Sequence, residues 1–248
     1  EIPATVKTMI KRGTFNLDKP STLTKHKDRK RFEQFIPNKR NALLVLPRYD
    51  YSLSRGVVDI VDLKNFKIIH TYKHDIDEMH HQVTNIKEFP RLNVYASPIR
   101  FMYLHPLILY DGSLMSSTGG SPMFKIDFCS NLKWINDEEI FHHSRMLDHE
   151  ENIWVGGRLR SYSKHGKNII TNRNNFHHHA IIKINSDGKI LYKKSVIEIL
   201  IENDIFPDNF TLASYLSGVI DPIHLNDIEP AFSDTQYWKT GDVFLSIR

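Results

Sequence analysis

The feature that most constrains the fold is a short strand-and-turn unit that occurs three times. Ile60-Val61-Asp62, Lys125-Ile126-Asp127 and Lys183-Ile184-Asn185 each end an apolar, β-prone run. The closing Asp or Asn falls at 62, 127 and 185, intervals of 65 and 58 residues. An apolar residue restarts the chain five or six positions later, at Ile68, Leu132 and Ile190. Short runs of this kind, bounded by Asp, Asn and Gly, are strands joined by tight turns. A unit this small cannot bury both of its faces alone, so its copies must stack on one another.

The grammar between the repeats agrees. Strands are expected at Ala42–Leu46, Val57–Val61 and Lys67–Tyr72, with a turn over residues 62–65. Leu107–Tyr110 and Ser113–Ser116 flank Asp111-Gly112, a pair suited to the φ > 0 positions of a hairpin. Met123–Asp127 with Leu132–Ile135, and Ile181–Asn185 with Lys189–Tyr192, form two more hairpins. An inner pair lies within His142–Gly156, around a turn at His149–Asn152. The expected class is therefore all-β, as a β-propeller, with a β-sandwich or large meander as the alternative. Val196–Asn203 breaks the rhythm with apolar residues at helical spacing behind Ser195, a good N-cap, and is read as a helical insertion. The domain reading is an N-terminal arm over 1–40 and a propeller over 41–248. Three and a half blades are counted, and the rest of the ring is expected to follow Arg248.

Composition narrows the ligand. A formal charge of +4 and a pI near 9.0 favour an anionic small molecule. The basic run over residues 25–31 is read as a solvated face, with no nucleic-acid partner expected. Cys129 is the only cysteine, which excludes an intrachain disulfide and a cysteine-built zinc site. No apolar stretch reaches the roughly 18–20 residues of a membrane helix.

Fourteen histidines remain to be explained. His80-His81 lies in an acidic, exposed segment, and His177–His179 is read as a surface loop ahead of a strand. No spacing matches a known chelating pattern, so no metal and no cofactor is expected. Two segments differ. In FHHSRMLDHEENIWV (141–155), His142 and His143 open an inner strand. In DPIHLNDIEP (221–230), His224 precedes a hairpin that returns as Val243–Ile247 and ends on Arg248. Neighbouring strand residues face opposite ways, so one histidine of each pair is expected to enter a shared pocket. Inner strands of a propeller meet at its axis, where His143 and His224 would converge from different blades.

The strings HHSRMLDHEENIWV and DPIHLNDIEP…GDVFLSIR resemble the arylsulfotransferase family over about residues 41–248, most specifically in the second string. That resemblance implies a six-bladed propeller and sulfuryl transfer from a phenolic sulfate to an acceptor phenol. It further implies a ping-pong course through a histidine that lies downstream of Arg248, and hence beyond this chain. Carried across, His143 (with His142 beside it) and His224 are the pocket histidines, and Arg248 is the pocket arginine. Classical members carry an acidic residue after the paired histidines, where Ser144 stands here. The resemblance also implies a periplasmic or secreted protein.

The chemistry suits these residues. Arg248 would offer a planar fork of donors to two sulfuryl oxygens. His143 and His224 would serve the third oxygen or the leaving phenolate. Asn226 and Asp227 form the expected second layer, Asp227 fixing the tautomer of His224. Phe141, Tyr237 and Trp238 are core or rim residues, with stacking on the phenol as the alternative. Two other functions stay open: a non-catalytic propeller that binds an anion or a protein, and a histidine-metal hydrolase.

Overall fold

Each repeated acidic or amide residue closes a turn. Asp62 accepts from the Lys64 amide, Asp127 from the Asn131 amide, and Asn185 from the amides of Asp187 and Lys189. The strand before each turn carries a β-bulge at the same point, after Ile60, Lys125 and Lys183. The sequence repeat is thus a structural repeat of turn plus bulge, which fixes the register of each hairpin.

The computed structural model describes residues 33–89, 92, 100–118, 121–160, 177–205, 221 and 223–247. The basic run at 25–31, most of the expected N-terminal arm and Arg248 lie outside them. Thirteen strands form four antiparallel sheets among the described residues. The first sheet holds β1 (Leu43–Asp50), β2 (Arg55–Asp62) and β3 (Lys67–Tyr72). The second holds β4 (Leu104–Ile108), β5 (Leu114–Ser117), β6 (Met123–Ile126) and β7 (Leu132–Asn136). The third holds β8 (Ile140–Leu147), β9 (Ile153–Arg158), β10 (His179–Ile184) and β11 (Ile190–Ser195). The fourth is the pair β12 (Leu225–Pro230) and β13 (Val243–Ile247). Every sheet is a meander of consecutive strands, and the chain is all-β with short helices.

Two of those helices are α-helices. The insertion α2 (Val196–Glu202) starts where expected, with the Ser195 hydroxyl accepting from the Glu198 amide. The segment read as exposed around His80-His81 is α1 (Ile76–Gln82), capped by Asp75, and its apolar side buries Ile76 and Met79. Among the described residues no helix is long and apolar enough to cross a membrane.

Successive residues of the middle strands face different neighbours, as the two-residue period of a strand requires. Leu114, Phe124 and Ile126 pack toward the first sheet with Val58, Ile60 and Tyr72. Met115 and Met123 pack toward the third sheet with Phe141, Val155 and Ile182. Ile181, one residue along from Ile182, faces α2 and the fourth sheet beside Val196, Ile197 and Leu225. The second and third sheets are thus packed on both faces, and their central strands β5, β6, β9 and β10 are almost wholly buried. Polar bonds tie the same joints: Tyr72 donates to the Gly112 carbonyl at 2.7 Å, and Asn136 to the Gly188 carbonyl at 2.7 Å.

Candidate functional site

The first strands of the second, third and fourth sheets each hold or follow a histidine with positive φ. These are His105 at 43°, His143 at 59° and His224 at 36°. The left-handed region costs a residue with a β-carbon about 1–2 kcal/mol, so the surroundings must hold it there. In β4 the register slips between Leu104 and Leu107, and in β8 between His142 and Arg145. In β12 the slip falls at Asn226, two residues after His224. A bulge re-aims side chains, and here the result is convergence. The rings of His143 and His224 lie 5.2 Å apart between centroids, and those of His105 and His143 lie 6.5 Å apart.

The bulge also overturns the expectation that only one of each adjacent pair enters the site. His142 and His143 stand 4.6 Å apart, and His142 reaches His179 at 4.8 Å. His179 lies 6.0 Å from His224 and 6.3 Å from His177. Six imidazoles from three sheets form one connected cluster. The reading of His177–His179 as a surface loop is corrected by burial: His178 and His179 are enclosed, and His177 is half-buried.

Asp221 sits at one edge of this cluster. Its two oxygens meet His179 Nε2 at 2.5 Å and His224 Nδ1 at 2.7 Å. His177 Nδ1 is 3.2 Å away, in ion-pair range but poorly aligned for a hydrogen bond. The carboxylate that orients His224 is therefore Asp221. Asp227 turns the other way, accepting from the Ser144 hydroxyl and from the Ile228 amide at 2.9 Å. Asn226 is the bulge residue between them.

Two braces, one buried and one half-buried, hold the strained histidines. The Arg145 guanidinium, 3% exposed, crosses from β8 to donate to the carbonyls of Leu104 and His105 and to the Ser117 hydroxyl at 2.7 Å. It fastens the bulge that presents His105. The Ser144–Asp227 bond fastens the bulge that presents His143 to the fourth sheet. Ser144 thus has a carboxylate partner supplied from another strand. Gly156, opposite His142 on β9, keeps this joint tight, because a β-carbon there would lie 3.3 Å from Leu225.

The electrostatics follow from burial. Desolvation, with the neighbouring His179 and His143 adding to it, pushes His142 down to about 2. His143 is lowered by burial and then by His224 and His105. His105 is lowered by burial and by Arg145. His179 is pushed down to about 4 by burial, against the opposing pull of Asp221. Burial alone would raise Asp221, but the hydrogen bond from His224 and the field of His179 hold it well below the usual range. Near neutral pH the rings of His142 and His179 are uncharged, each with one N–H and one lone pair to offer.

Of the residues singled out from sequence, His142, His143 and His224 come together. Phe141 is fully buried in the core, Tyr237 is exposed, and Trp238 packs edge-on against Phe244, so none of the three faces the cluster. His105, His177, His179, Asp221 and Arg145 are the members that sequence reasoning missed. His105 had one available signal, its place at the head of β4 where His143 stands in β8. Comparisons with curated proteins and with solved structures give no match. A family model described as Arylsulfotransferase (ASST) matches residues 110–248, which takes in β5 to β13 and every member of the histidine cluster except His105. The match covers more than half of the chain, and the protein belongs to the arylsulfotransferase family.

Proposed function

We propose that this chain carries the reaction centre of a β-propeller that moves a sulfuryl group from a phenolic sulfate ester to an acceptor phenol. The transferred group rests on an imidazole between two half-reactions. The observation that carries this reading is the meeting of His142, His143 and His224, two strands' worth of histidines far apart in sequence, inside the region that matches the family. The successive meander sheets act as blades around that point, and the reaction is assigned to the periplasm or the cell exterior on the resemblance alone.

In the first half-reaction the ester S–O bond breaks as an imidazole N–S bond forms, and the protonated His224 gives its Nε2 proton to the leaving phenolate. In the second, the N–S bond breaks as the acceptor oxygen takes the sulfuryl group, and the acceptor's proton returns to His224 Nε2. Such transfers have a loose transition state with charge on three peripheral oxygens, so positioning and charge stabilisation dominate. His224 suits the proton exchange. Its Nδ1 donates to Asp221, which leaves Nε2 as the basic nitrogen, in the arrangement that orients a general base. His143 supplies an N–H to a sulfuryl oxygen, and Arg248 serves as the guanidinium fork.

The test is transfer from 4-nitrophenyl sulfate to phenol by the full-length protein. Release of 4-nitrophenol should depend on phenol, with parallel double-reciprocal lines. His224→Ala and Arg248→Ala should each lower kcat/KM by at least about 10² while the fold is kept. Undiminished turnover in both variants would refute the site, and no transfer to any phenol would refute the reaction.

A further inference from the structure

The position of Asp221 is hard to reconcile with a plain anion pocket. A carboxylate beside the catalytic imidazoles would repel the sulfuryl oxygens that the site is meant to hold. A cation between them would remove that conflict. We propose that His177, His179 and Asp221 bind a divalent transition-metal ion, Zn²⁺ or a chemically close ion, at the edge of the histidine cluster. This goes beyond the transfer reaction and holds whatever the substrate is.

The geometry is that of a ligand set. His177 and His179 are separated by one residue at the entry to β10, where the His179 amide donates to the His177 carbonyl at 3.1 Å and both imidazoles meet Asp221. Asp221 reaches them from 42 residues further along. One ligand atom from each of the three lies within 4.8 Å of the other two. Two imidazoles with one carboxylate make the mixed N,O set of zinc hydrolases and of non-haem iron sites. Its nitrogen donors disfavour Ca²⁺ and Mg²⁺. Coordination bonds of about 2.0–2.2 Å would require the 2.5 Å contact between His179 and Asp221 to open as the ion enters. Ligation through His177 Nδ1 leaves the ring proton on Nε2, so His177 would give up the contact that Nε2 makes with Arg158 at 3.3 Å.

A second observation points the same way. Both ring nitrogens of His142 are closed off from water and lack a hydrogen bond of acceptable geometry, although its ring is 4.8 Å from that of His179. Buried lone pairs without a donor are rare and ask for an ion or a water. An ion held by the three named ligands would sit near His142, whose ring is 4.8 Å from that of His179, with a fourth position left for water or substrate. Even with its N–H directed at the Gly157 backbone, the neutral ring keeps one buried lone pair that no donor meets.

The experiment is a Co²⁺ and Zn²⁺ titration of full-length, tag-free protein after chelator treatment and dialysis. Co²⁺ should bind at about one equivalent and give visible ligand-field bands, and Zn²⁺ should displace it. His177→Ala, at a half-exposed position, and Asp221→Asn, which keeps the side-chain shape, should each weaken binding at least about tenfold. His80→Ala on α1 should leave it unchanged. No saturable binding to the wild-type protein would overturn the proposal, as would wild-type affinity in His177→Ala. Loss of binding in the His80 control would place the ion elsewhere and overturn it too. Sulfuryl transfer is scored separately, so a protein that binds metal but transfers nothing, or the converse, tells the two readings apart.

Discussion

His74 shows what burial does to one titratable side chain in this molecule. Its ring is stacked on Phe124 at 4.5 Å, its Nδ1 is 2.8 Å from the Tyr103 hydroxyl, and it is 1% exposed. Burial, helped by the charge on Arg55, pushes it down to about 3. The unfolded chain takes up this proton near 6.5 and the native protein does not, so stability is lost as pH falls from about 6.5 toward 3. Between pH 7 and pH 5 the contribution is about 2 kcal/mol. Urea unfolding at the two pH values should show wild type losing about that much more than His74→Phe. Equal losses would mean that His74 is protonated in the native state. The same scale explains why the site was only partly legible. Asp221 and Asp227 stand three residues to either side of His224, and nothing in the string DPIHLND says which one turns back toward the ring. The choice is made by the slip in register at Asn226, a backbone event without a residue-type signature.

At the scale of the element, the bulges of β4 and β8 aim the cluster and the braces hold the bulges. Strand positions were readable because apolar periodicity and Asp or Asn turns are local. Lys67–Tyr72 and Val243–Ile247 were bounded as they occur, and α2 only lost its last residue. The bulges were not readable, since strict alternation is the only assumption a strand pattern permits. For that reason one histidine of each pair was expected to point away. His177–His179 was misread because what buries it, Asp221 with the fourth sheet and α2, lies far along the chain. Arg145 gives the sharpest test. Arg145→Met should remove the brace, leave the Leu104 and His105 carbonyls without their donor, and cost about 2–4 kcal/mol in urea unfolding. Ser144→Ala removes a single bond to Asp227 and should cost about 1–2 kcal/mol. If the bulge also positions His143, kcat should fall in Ser144→Ala while KM for the donor stays nearly constant. A change confined to stability would limit Ser144 to a structural part.

At the scale of the whole molecule, the histidine cluster exists only because several sheets are held in one arrangement, so the joints between sheets are part of it. The joint of the second and third sheets is built on a glycine. Gly188 turns at φ +83°, and Trp134 from β7 lies flat against it, so that a β-carbon would stand 2.8 Å from the indole. The indole Nε1 then donates to the Ser186 carbonyl at 3.0 Å, locking the turn of one sheet to the outer strand of the other. Gly188→Ala faces two costs that can be separated. The left-handed backbone contributes about 1 kcal/mol, and displacing a packed indole contributes about 1–3 more. With Trp134→Leu already in place the second cost disappears and the first remains, so the effect of Gly188→Ala should fall to about 1 kcal/mol. That difference is the coupling energy across the joint, read from a double-mutant cycle by urea unfolding. Additive effects in the cycle would mean that the two sheets are joined elsewhere, and that the spacing of the histidines does not depend on this contact.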